Sequence, residues 1–76
     1  MAAYMNLSGA SGVLQYEIYD NAIEVTFRAG HHRTYLYSYQ HTGQNRVETM
    51  KQLASRGLGL NRYIKEYVGK AYERRS

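Results

Sequence analysis

The sequence predicts an α+β domain of order β-β-β-α-α: a three-stranded antiparallel sheet followed by two α-helices packed on one of its faces. Three observations predict it. Apolar residues recur with period two in the first half, at Leu14-Tyr16-Ile18, Ile23-Val25-Phe27 and Tyr35-Tyr37-Tyr39, and that is the period of a strand. In the second half they recur at helical spacing, at Val47, Met50, Leu53 and Ala54 and again at Leu60, Tyr63, Ile64, Tyr67 and Val68. Gly57 and Gly69 stand where each helical stripe stops. At 76 residues the chain suits one small domain with a thin core.

Residues 1–12 are small and polar, ending in Ser8-Gly9-Ala10-Ser11-Gly12, and read as a flexible N-terminal arm. The domain proper is expected over residues 13–69. Val13–Tyr19 and Ala22–Arg28 flank Asp20-Asn21, a two-residue hairpin turn. That turn pairs Tyr19 with Ala22, Ile18 with Ile23, Tyr16 with Val25 and Leu14 with Phe27, so each apolar residue meets another on one face. It also sets Glu17 opposite Glu24 on the other face, a mildly unfavourable pair and a poor seat for phosphate.

The third strand, Arg33–Tyr39, has two registers open to it. A three-residue Arg28-Ala29-Gly30 loop with a left-handed Gly30 puts Tyr35 and Tyr37 in the core. A two-residue Ala29-Gly30 loop puts Thr34 and Leu36 there and exposes the tyrosines. The first is favoured because Thr and Leu fill the core less well. Thr42 is the expected N-cap of the first helix, which stops at Gly57. The second helix spans about Leu60 to Val68, and residues 70–76 form a frayed basic tail. The expected core is Leu14, Tyr16, Ile18, Ile23, Val25, Phe27, Val47, Met50, Leu53, Leu60, Ile64 and Tyr67.

Charge is uneven. Residues 1–38 carry a net −1 and residues 39–76 a net +5. A basic helical half beside a near-neutral sheet points to an anionic partner, nucleic acid first, with a merely solvated charged surface as the plain alternative. No apolar run reaches the roughly 20 residues of a membrane span, and Met1–Gly12 lacks the pattern of a secretory signal. A cytoplasmic location is expected. With no cysteine there is no disulfide framework and no thiolate metal site. His31 and His32 are adjacent and would point to opposite faces of a strand, so no metal is expected from them or from His41. No cofactor, small-molecule substrate or catalytic residue is expected either: a nucleophile elbow and a phosphate-cradling glycine loop are missing from the sequence, and no paired carboxylates are expected in an obvious pocket.

The order of parts, with Tyr35-Leu36-Tyr37 or Tyr37-Ser38-Tyr39 followed by Gly59-Leu60-Asn61-Arg62-Tyr63-Ile64 and the late Tyr67 and Tyr72, resembles the KTSC domain. That small family is named for its occurrence at the C-terminus of some lysyl-tRNA synthetases. The likeness spans about Val13 to Arg75. It departs from the family in two places: the valine-proline step that often follows the tyrosine strand is missing, since this chain has no proline, and the Gln40-His41-Thr42-Gly43 link is unusual. The resemblance implies nucleic-acid binding, RNA before DNA.

The residues expected to carry such binding are Arg56, Asn61, Arg62 and Lys65 around the start of the second helix, with Lys70, Arg74 and Arg75 assisting. A helix N-terminus presents free N–H groups to phosphate, and Arg and Lys add a fork and a point charge. The plain alternative is that Asn61 caps the helix and Arg62 pairs with Glu66 four residues on. Tyr35, Tyr37 and Tyr39 are candidate aromatic contacts if exposed, and core if buried. The second functional class is a protein-interaction or assembly module, a homodimer or a contact with a host protein, through the tyrosine strand or a sheet edge.

Overall fold

A computed structural model describes residues 2–7, 9 and 12–76. The domain is α+β with an antiparallel sheet, but the sheet has five strands, and three helices pack with it where two were expected. The strands are β1 (Ala2–Ala3), β2 (Val13–Tyr19), β3 (Ala22–Phe27), β4 (Thr34–Ser38) and β5 (Arg74–Arg75), lying side by side in chain order. The helices are α1 (Tyr39–Thr42), α2 (Gln44–Arg56) and α3 (Leu60–Tyr63), the last continuing as a π-helical turn over Ile64–Val68. Among the described residues no helix is long and apolar enough to cross a membrane.

The central hairpin has the expected pairing at its tip, with Ile18 opposite Ile23, Tyr16 opposite Val25 and Glu17 opposite Glu24. Farther along, the register shifts between Val13 and Gln15, and Val13, not Leu14, faces Phe27. One extra residue in a bulge reverses the alternation. Val13 is therefore fully buried while Leu14 is 41% exposed. Ile18 leaves the expected core for a different reason. Its register is right, but α2 packs on β3 and β4, and Ile18 near the hairpin tip sits at the rim, exposed.

Tyr35 and Tyr37 pair with Val25 and Ile23 and share their core face. The connection is longer than expected: Phe27 N–H donates to the Arg33 carbonyl at 2.7 Å, so five residues, Arg28–His32, form the loop. The parity of the register, and hence the facing, is that of the three-residue loop.

Both ends of the chain depart from expectation. The N-terminal segment is docked. Ala2 and Ala3 pair with Tyr16 and Gln15, and Tyr4 is buried in the core. Leu7 N–H donates to the Gly57 carbonyl at 2.7 Å. Of the expected arm, Met1, Ser8, Ala10 and Ser11 lie outside the described residues. The C-terminal segment is not frayed: β5 pairs with Tyr35 and Leu36, Glu73 N–H donates to the Leu36 carbonyl at 2.7 Å, and the Thr42 hydroxyl donates to the Ala71 carbonyl. Thr42 is thus a buried tether, not a cap. Ser38 caps α1, accepting from His41 N–H at 3.3 Å, and α2 begins after Gly43.

Gly57 ends α2 as expected, in a left-handed conformation with φ of 74°. A side chain there would also meet the docked N-terminal segment, since a Cβ would lie 2.5 Å from Met5 Cβ. Gly59 has a similar φ of 85°, but its Cβ would meet an ordinary 3.8 Å contact with Leu53. Both alanine variants carry the cost of a positive φ, about 1–3 kcal/mol. Gly57→Ala is expected to lose more than Gly59→Ala in urea denaturation, because it also displaces residues 4–7. Equal losses would mean that the N-terminal segment yields without cost.

Candidate nucleic-acid interface

An open groove of about 660 Å³ lies where three parts of the chain converge. The β3–β4 loop forms one wall with Arg28, Gly30, His31 and His32. The helical segment supplies Asn61, Ile64 and Lys65, and the C-terminal segment supplies Lys70, Tyr72 and Arg75. Phe27, Tyr35 and Tyr37 make the floor. Among the described residues, the lining includes four Lys or Arg side chains and no carboxylate.

Each part is placed by local chemistry. Gly30, at φ 116°, lets the loop turn, and Arg28 N–H donates to the Gly12 carbonyl at 2.7 Å. The His31 and His32 rings meet edge to face at 4.9 Å. They stand in a loop, and both line the groove, so the opposite-face reading of them as strand residues does not hold. Among the described residues, no group of three or more His, Cys, Asp or Glu could hold a metal ion.

The floor is an aromatic cluster. Tyr35 and Tyr37 stack at 6.3 Å, Phe27 meets Tyr35 edge-on at 5.4 Å, and Tyr72 meets Tyr35 edge-on at 5.1 Å. Tyr37 is 2% exposed. Burial first, then the neighbouring Tyr35 and Tyr72, push its hydroxyl far above the usual tyrosine range. It supports the floor and is not itself a stacking platform. Tyr72, half-buried like Phe27 and Tyr35, has the Arg75 guanidinium 5.6 Å from its ring centroid. That distance is within cation–π range.

The expected site residues divide. Asn61, Lys65, Lys70, Arg75, Tyr35 and Tyr37 come together in the groove. Arg62 does not: it is 83% exposed and its Nε lies 3.0 Å from Glu66 Oε1, which also raises its affinity for the proton. Arg56 sits in a shallow depression with Glu48 and Lys51. Arg74 pairs with Leu36 and Arg75 with Tyr35, so alternation sends Arg74 to the outer face. Tyr39 leaves the row as well. Its hydroxyl donates to Glu48, and Lys51 lies over its ring at 5.4 Å. The Tyr39 hydroxyl, and then Lys51, hold the Glu48 carboxyl below its ordinary range.

Two further expectations change. Asn61 is inside α3 and does not cap it; Gly59 holds that position. The helix start is also closed to an anion at its first donor, since Leu60 N–H donates to the Tyr4 hydroxyl at 3.3 Å within the core. Cationic side chains, not the helix end, give the groove its sign. The β4 edge, a candidate for assembly, carries β5.

Sequence reading missed Arg28, His31, His32, Phe27 and Tyr72 as parts of the site. Their approach depends on the five-residue loop and on β5, neither of which leaves a local pattern. A scan against protein-family models and searches of curated proteins and solved structures found nothing that matches this chain.

Proposed function

We propose that this domain is a nucleic-acid-binding module that takes unpaired strands, RNA first, with low sequence selectivity and without catalysis. The observation that carries the reading is the groove's composition: Arg28, Lys65, Lys70 and Arg75 around an aromatic floor, with no carboxylate among the described lining residues. Proteins that bind single strands without sequence preference combine a basic groove for the backbone with aromatic faces for the bases. The net +5 of residues 39–76 adds long-range attraction. The resemblance to the KTSC domain supports the same reading.

A few phosphate contacts suit affinities on the order of 10⁻⁴–10⁻⁶ M at physiological salt. Tighter action would need a host protein, a dimer or a larger complex to add contacts. The test is an NMR titration of labelled protein with an eight-nucleotide oligouridine at low salt. The amides of residues 28–32, Lys65 and 70–75 are expected to shift, and those of Glu48, Lys51 and Arg56 to stay. Shifts confined to α2, or none at all, would overturn the groove reading.

A further inference from the structure

We infer that the groove holds about two unpaired nucleotides, one base lying against the Tyr72–Arg75 pair. This rests on the nucleic-acid reading above and narrows it to a ligand. Its volume of about 660 Å³ falls within the ~300–1,000 Å³ of clefts that bury small ligands. That space takes a short flexible segment, whereas a duplex keeps its bases stacked inside it and away from the floor. A duplex is approached by an element that projects into a groove, whereas this site is concave. A concave, aromatic-floored site suits bases that are already unstacked.

The position of the base follows from what is reachable. Tyr37 is buried, and Tyr35 is engaged in T-shaped contacts with both Phe27 and Tyr72. Arg75 is exposed, and its guanidinium lies over the Tyr72 ring at 5.6 Å. A planar guanidinium backed by a ring is a surface on which a base stacks. Asn61, also in the lining, offers an amide donor and acceptor to a base edge. Lys65, Lys70 and Arg28 remain for the flanking phosphates.

The test compares three probes by NMR titration at low salt: 5′-phosphorylated uridine dinucleotide, its abasic counterpart of equal charge, and a twelve-base-pair RNA duplex. The dinucleotide is expected to bind about five- to 150-fold more tightly than the abasic probe, the gain of one stacked base. Arg75→Lys keeps the charge but loses the plane, and should bring that ratio close to one while abasic binding persists. Equal affinity for the base-bearing and abasic probes would overturn the inference and leave the phosphate-binding groove standing. So would tighter binding of the duplex. A ratio unchanged in Arg75→Lys would remove the base from this pair, and no binding by any probe would overturn the nucleic-acid reading itself.

Discussion

Tyr37→Ala is expected to cost about 3–5 kcal/mol, the range for deleting a large buried aromatic side chain. Tyr37 is the largest of the fully buried side chains. It lies on β4 opposite Ile23, stacks on Tyr35 and meets Tyr72 edge-on at 6.4 Å. Its loss therefore opens a cavity under both the sheet and the C-terminal segment. A chain of this length has a total stability of roughly 4–11 kcal/mol, so the variant should be partly or wholly unfolded at room temperature. Tyr19→Ala is the control, a strand tyrosine exposed at the hairpin tip, where a loss within about 1 kcal/mol is expected. Urea denaturation followed by circular dichroism measures both. Similar small losses would mean that the tyrosine row of β4 faces solvent, contrary to its packing on Val25 and Ile23.

The strand face of Tyr37 was legible because a period of two leaves only two ways to orient a strand, and core filling favours one of them. The hairpin tip and the stop at Gly57 were legible for similar reasons: a short turn fixes a register, and a glycine tolerates the left-handed cap. The two added strands were not. Ala2–Ala3 and Arg74–Arg75 are each two residues long, too short to show any alternation. The docking of the first goes with contacts such as Tyr4 with Leu60, 56 residues apart, and the second pairs with Tyr35 and Leu36. The bulge at Val13–Leu14–Gln15 exchanged which of two adjacent apolar residues is buried, and both orders give the same composition. The turn after Ile64 shows the same limit. Gly69 N–H donates to the Ile64 carbonyl at 2.7 Å, a wider i→i+5 spacing that rotates Tyr67 outward to 60% exposure while Val68 stays buried. A stripe read at 3.6 residues per turn puts both inside.

The candidate site was half legible for a related reason. Lys65 and Lys70 belong to a basic stretch that composition reveals. That Arg62 would turn to Glu66 was visible as an i,i+4 pair. That Arg75 and not Arg74 would reach the groove depends on the register of β5 against Tyr35. That Arg28 would join them depends on how the β3–β4 loop folds.

Removing three groove charges should flatten the salt dependence of RNA binding far more than removing three charges elsewhere. The groove variant is Arg28→Ala, Lys65→Ala and Lys70→Ala; the comparison is Arg56→Ala, Arg62→Ala and Arg74→Ala. Each lowers the formal charge from +4 to +1, so the long-range field changes equally and only position differs. All six side chains belong to exposed residues, and both variants should keep the parent's thermal midpoint within a few degrees. Each lost phosphate contact on a single strand removes about 0.7 from the slope of log affinity against log salt. The groove variant is then expected to lose about 2 units of slope, and the comparison variant less than 1. Arg75 is left in place in both, so that stacking on Tyr72 does not enter the difference. Binding of a fluorescent oligouridine across a salt series gives both slopes. Equal losses would show that RNA responds to net charge and not to the groove. A parent that fails to bind even at low salt would make the basic face a solvated surface and bring an assembly role forward.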